Sequence, residues 1–143
     1  MTKSEKVEVC ILAGDQRETA VFRFECDNST AVIDLFMPGG VRKKYEHYDY
    51  FVCLMKVRED YPRIKFLCKG AKLNVMPSRM CSQMSMGLVA YELTMGKTAT
   101  FDQIVQIFDY EDVDIVTDPK EQFEFYQRWL KSLGEGGVTS YET

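Results

Sequence analysis

The strongest constraint on how this chain folds is an alternation of apolar and polar residues at period 2 that runs through its first quarter. Val7, Val9 and Ile11 share one face of such a pattern, Ala20, Phe22, Phe24 and Cys26 a second, and Ala31, Ile33, Leu35 and Met37 a third. Side chains on an extended strand point to opposite faces in turn, so three runs of this kind predict three half-buried strands. "DNS" at 27–29 separates the last two runs by turn-forming residues and predicts a β-hairpin. "MPGG" at 37–40 ends the third strand.

Beyond residue 41 the pattern changes. From about Arg42 to Asp60, Tyr45, Tyr48, Val52 and Met55 recur at spacings of three and four, which predicts a helix stopped by "YP" at 61–62. "RIKFLCKGAKLNVMP" reads as two short strands around Gly70, with Ile64, Phe66 and Cys68 on one side. A second helix is predicted from about Arg79 to Met95, with Ser78 as N-cap, Gly96 just past its end, and a stripe of Met80, Met84, Leu88, Tyr91 and Met95. "FDQIVQIFDYE" suggests one more strand. "DPKEQFEFYQRWLKSL" predicts a third helix capped by Asp118, with Pro119 at its first position and Phe123, Tyr126, Leu130 and Leu133 buried. "GEGG" then leads into a tail, 134–143, read as flexible. The order β-β-β-α-β-β-α-β-α predicts a single α+β domain over 1–133, a mostly antiparallel sheet with about three helices packed on it.

At 143 residues such a domain buries about 70% of its unfolded surface. The net charge of −4 argues against general affinity for nucleic acid or anionic membranes. No stretch approaches a spanning helix, and the apolar run in "MTKSEKVEVCIL" is too short for a secretory signal. Cys10, Cys26, Cys53, Cys68 and Cys81 show neither metal nor disulfide spacing, as expected of reduced thiols in a cytoplasmic protein.

No constellation spells out a reaction, and neither an enzyme nor a cofactor is predicted. "MGKT" at 95–98 resembles the end of a phosphate-binding loop, but Tyr91 stands where that motif needs glycine. "GGVRKK" at 39–44 offers Gly39, Gly40, Arg42 and Lys43 at a predicted helix start, where backbone N–H groups hold phosphate; a turn with a solvated basic end is the better explanation. His47 is the lone histidine, which excludes a three-histidine metal centre and HExxH. A dyad with Cys53 or Cys81 is open in principle, but a structural His47 fits better. Met76, Met80, Met84, Met86 and Met95 suit either a flexible binding groove or core filling, and the shared stripe favours the core.

Charge distribution is more informative. Residues 41–79 hold ten bases (Arg42, Lys43, Lys44, Lys56, Arg58, Arg63, Lys65, Lys69, Lys72, Arg79) against four acids. Asp102, Asp109, Glu111, Asp112, Asp114, Asp118, Glu121 and Glu124 then face only Lys120 in the segment 102–124. Asp118 and Glu121 are accounted for by a helix N-terminus. Asp109, Glu111, Asp112 and Asp114 are not, and they surround Tyr110, an aromatic of the kind that anchors interfaces. These five residues are the candidate contact for a basic partner, unless the acidic and basic regions face each other. As a surface lure they predict that reversing Glu111 and Asp112 slows association and leaves the melting temperature nearly unchanged.

"RIKFLCKGAKLNVMPSRMCSQMSMGLVAYELTMGK", "VQIFDYE" and "EQFEFYQRWLKSL" together resemble small bacterial immunity proteins encoded beside polymorphic toxins, of contact-dependent growth inhibition and Rhs-type systems. The likeness covers roughly residues 63–133, anchored on Gly70, Pro77 and Ser78, the "GLVAYELTMGK" segment and the Trp129 helix. It implies a cytoplasmic protein that binds a cognate toxin domain and covers its active site. Such toxins are often basic nucleases, whose phosphate-binding groove an acidic surface would mimic. The basic segment 41–79 departs from a purely acidic plug; a toxin that is not a nuclease, or a homodimer, suits it as well. Two alternatives are a phosphate- or nucleotide-binding protein using "GGVRKK", and a nucleic-acid module using Lys65, Lys69 and Lys72.

Overall fold

Pairing of the alternating segments builds the larger of two antiparallel sheets in the computed structural model, which describes residues 4–134. Strands β1 (Ser4–Ala13), β2 (Gln16–Asp27), β3 (Thr30–Phe36), β4 (Arg42–His47) and β5 (Ile64–Phe66) lie in the order β4-β3-β2-β1-β5. Register puts Val7 opposite Phe22, Val9 opposite Ala20, Phe24 opposite Ile33 and Ile33 opposite Tyr45, so the predicted apolar positions line one face. Asn28 and Ser29, both at positive φ (50° and 65°), turn β2 into β3 with Asp27 opposite Thr30. A two-residue loop of that hand matches the right-handed strand twist.

The segment 42–60 is not one helix. Arg42 to His47 form β4, and helix α1 (Tyr50–Asp60) begins only after Asp49, whose carboxylate accepts the Val52 N–H at 3.1 Å. The open edge of β3 takes a partner strand, and Arg42 secures it with two hydrogen bonds to the buried Asp34, at 3.0 and 2.7 Å. The three-and-four spacing from Tyr45 to Met55 therefore spans two elements. As expected, α1 stops at Tyr61 before Pro62.

Strands β6 (Val75–Met76), β7 (Val89–Glu92) and β8 (Ile104–Gln106) form the second sheet, with β7 central. Here the 79–95 helix is corrected: α2 (Arg79–Ser85) is capped by Ser78 as expected, but ends where Met86 and Gly87 take φ of 54° and 82°. The Met86 carbonyl accepts the Tyr50 N–H at 2.6 Å, which ties this reversal to the start of α1. Gly96 sits in a turn after β7 and terminates no helix, so "MGKT" follows a strand and opens none. The two strands expected around Gly70 belong to different sheets, and Gly70 lies buried in a short 3-10 turn, Lys69–Ala71.

Helix α3 (Pro119–Ser132) starts as predicted, with Asp118 accepting the Lys120 N–H. Its inner seam differs: Pro119, Gln122 and Trp129 are buried while Phe123 is 47% exposed. Gln122 turns inward because its amide donates to the carbonyls of Gly70, Lys72 and Val75 at 3.0, 2.8 and 3.2 Å. Trp129 Nε1 donates to the carbonyls of Thr94 and Lys97, both at 3.0 Å. One apolar core joins both sheets, with Phe108 after β8 packed on Phe22 and Phe24 of β2. The protein is thus a small α+β domain of antiparallel sheets and three helices among the described residues. Among those residues no helix is long and apolar enough to cross a membrane. Most of the tail 134–143 lies outside them.

Candidate functional site

The acidic loop 109–114 runs alongside the basic segment 67–73, so the two oppositely charged stretches do face each other. Lys69 N–H donates to the Asp109 carbonyl at 2.8 Å, Glu111 N–H to Leu67 at 3.3 Å, and Leu73 N–H to Asp114 at 2.8 Å. Beta-bridges pair Cys68 with Tyr110 and Lys72 with Ile115. The loop's two ends are therefore held to one strip of backbone.

Glu111 pins the middle. One carboxylate oxygen accepts from Lys69 Nζ at 2.8 Å and Lys72 Nζ at 2.9 Å; the other accepts the N–H groups of Asp112 at 3.1 Å and Val113 at 3.0 Å. Glu92 joins the cluster at 2.9 Å from Lys72 and 3.3 Å from Lys69. The Lys69 and Lys72 hydrogen bonds hold the Glu111 carboxyl down at about 2, and the Glu111 contact raises Lys69 above the usual lysine value. The Glu111 side chain is only 11% exposed. Glu111 is thus scaffold, and its reversal to lysine cannot leave the melting temperature unchanged as the surface reading predicted: a third cation would stand against Lys69 and Lys72, with Glu92 alone left to offset all three.

Asp109, Tyr110, Asp112 and Asp114 do reach solvent, together with Val113, which sequence reasoning missed. Tyr110 is 55% and Val113 56% exposed. The Tyr110 hydroxyl donates to Asp112 at 3.2 Å and accepts from Arg17 at 3.4 Å. Asp114 holds φ of 57°, a left-handed conformation that aspartate tolerates better than most residues. Three carboxylates thus flank an aromatic and an aliphatic side chain on a braced backbone.

No protein-family model matches the chain, and no curated protein matches its sequence.

The rival sites fare differently. "GGVRKK" leads into β4, so the helix start that was to hold phosphate is missing. Its Arg42 is bound to Asp34, and its Lys43 to Asp60 at 2.7 Å. Lys69 and Lys72 are committed to Glu92 and Glu111, and no hairpin presents them with Lys65. His47 ends β4, its Nδ1 buried without a partner, and burial pulls its basicity below the usual range. The Cys53 thiol faces the carbonyls of Ala31 and Tyr45, and burial pushes it up to about 12. No hydrogen bond links it to His47 among the described residues. Nor do those residues include a cluster of three or more His, Cys, Asp or Glu side chains suited to a metal ion.

Proposed function

We propose that this protein works by binding a cationic protein surface, as an immunity protein that occupies a cognate toxin domain in the cytoplasm. The loop 109–114 carries the reading: Asp109, Asp112 and Asp114 stand exposed beside Tyr110 and Val113, while Glu111 and the backbone bonds to 67–73 hold the loop in one shape. A pre-shaped loop loses little entropy on binding. Its carboxylates steer a basic partner, and its two apolar side chains supply contact area once docked. Inhibition by occupancy needs no chemistry from the chain.

The test begins with the tagged full-length chain, co-purification from the source organism, and mass spectrometry. The reading predicts a stoichiometric partner corresponding to a toxin domain, whose activity falls as the chain is added. Asp109→Lys combined with Asp112→Lys then slows association. A partner that binds the doubly reversed variant as fast as the native chain, with the same salt dependence, would overturn the role given to this loop. A partner whose activity is unaffected by the chain would overturn the immunity reading.

A further inference from the structure

Strand β4 closes one side of the larger sheet, and its far edge pairs with no other strand. Natural edges are commonly blunted by proline, a bulge, brevity or a covering element. β4 carries no proline, and its pairing with β3 runs without a bulge from Ala31–His47 to Phe36–Arg42. Strand parity decides which groups this edge presents, because successive residues aim their N–H and C=O to opposite sides. The Met37 N–H donates to the Val41 carbonyl at 2.8 Å, so Val41, Lys43, Tyr45 and His47 face β3. Arg42, Lys44 and Glu46 therefore aim their backbone groups outward. Among the described residues one of these groups is engaged: the Glu46 carbonyl accepts Lys56 Nζ at 3.5 Å.

The charges along the edge are not answered within the chain either. Across the pair with β3, Lys44 stands opposite Asp34, but that carboxylate takes both hydrogen bonds from Arg42. Glu46 stands opposite the apolar Val32. Both Lys44 and Glu46 are exposed, and neither is in an ion pair among the described residues. An antiparallel second copy can meet this edge only in registers that set outward-facing residues opposite one another. Lys44 opposite Lys44, or Arg42 opposite Lys44, brings like charges together, which destabilises a strand pair. One register is complementary. With Tyr45 on the two-fold axis, Lys44 stands opposite Glu46 of the second copy, and symmetry repeats the pair in reverse. Each is a hydrogen-bonded pair, so both backbone bonds and a cross-strand ion pair form together. The edge charges thus bar other registers and favour this one.

We propose that β4 pairs antiparallel with β4 of a second copy in this register, joining the two larger sheets into one. Tyr48, 67% exposed just past the strand, comes near Arg42 of the second copy and adds contact area. A strand of this length buries little surface beside a standard interface, so the dimer is weak and reversible. The loop 109–114 lies by residues 67–73, which follow β5 at the other side of the sheet, and stays free in both copies. Dimerisation then presents that loop twice, which favours a multivalent partner. The dimer uses none of the residues given to toxin binding and does not depend on that role.

The test is sedimentation equilibrium of the full chain from micromolar to millimolar concentration. A monomer–dimer equilibrium is expected, weakened by added salt. Lys44→Glu and Glu46→Lys each set like charges opposite one another twice, and each raises the dimer dissociation constant about tenfold or more. Mixed in equal amounts, the two variants carry opposite charges and associate at least as tightly as the native chain. Amide hydrogen exchange on the native chain needs no substitution: protection of the Lys44 and Glu46 N–H groups rises with concentration. The proposal is overturned by a native chain that stays monomeric at millimolar concentration, or by single variants that dimerise as well as it does. It is equally overturned by a mixture no tighter than its components, or by Lys44 and Glu46 amides that exchange alike at every concentration.

Discussion

Glu111 answers two ammonium groups and two backbone N–H groups at once, so its ionisation is tied to the shape of the loop around it. Its folded pKa is depressed, to about 2 from an ordinary 4.5. The stabilisation is therefore complete above about pH 4.5 and is lost as pH falls through 2. Glu111→Gln removes the charge and lowers stability at neutral pH by about 1–3 kcal/mol. In urea titrations repeated from pH 7 to 2, the variant should also lose less of its remaining stability on acidification than the native chain. Arg58 is the second such residue, 1% exposed and donating to Gln122 Oε1 at 2.6 Å and the Val116 carbonyl at 2.8 Å. Burial draws its pKa down to about 10, still high enough to keep it charged at neutrality. Arg58→Met fills the space but strands both acceptors, and should cost about 2–4 kcal/mol in the same denaturation experiment.

At the scale of elements, the junction between α1 and α2 depends on Asp49, which caps α1 and also accepts the Ser82 hydroxyl of α2. Gly87 packs against this carboxylate at φ 82°, and a Cβ there would collide with it. Gly96 has a similar φ of 79° with open space around it. Gly96→Ala therefore carries only the left-handed penalty of about 1–2 kcal/mol. Gly87→Ala adds a clash that must displace Asp49, so its melting temperature should fall clearly further. Equal losses in the two variants would mean that Asp49 is not what demands glycine. The same junction explains why α2 ends after Ser85: a helix continued to Met95 would erase β7, the central strand of its sheet.

Across the whole molecule, the apparent charge separation of the sequence is partly cancelled in space. Lys69 and Lys72 neutralise Glu111 and Glu92, and Arg17 sits against Tyr110. What still faces outward near Tyr110 is Asp109, Asp112 and Asp114. Exposed carboxylates act over roughly a Debye length, about 10 Å at 0.1 M salt, and change the rate of encounter more than the stability of the fold. Asp109→Lys with Asp112→Lys should slow partner association about tenfold or more at low salt and leave the melting temperature within a degree or two, about the spread of neutral surface substitutions. Stopped-flow association rates across a salt series, beside thermal melts, separate this pair from Glu111→Gln, which moves stability.

The sequence by itself determined what local chemistry settles. Period-2 alternation specified β1 to β3, the Asn28–Ser29 turn their hairpin, Pro62 the end of α1, and Asp118 with Pro119 the start of α3. Each depends on contacts or dihedral limits within a few residues. Tertiary structure decided the rest. Whether 42–47 coils or extends depends on an open edge at β3, and whether 89–92 is helix or strand depends on β6 and β8 either side. Which face of α3 turns inward is set by the carbonyls of Gly70, Lys72 and Val75 waiting for Gln122. The acidic loop was legible as composition, but its division into Glu111 as brace and its neighbours as exposed surface was not. Electrostatic pairing depends on distance in space, and Lys69 lies 42 positions from Glu111 along the chain but 2.8 Å from it in the fold.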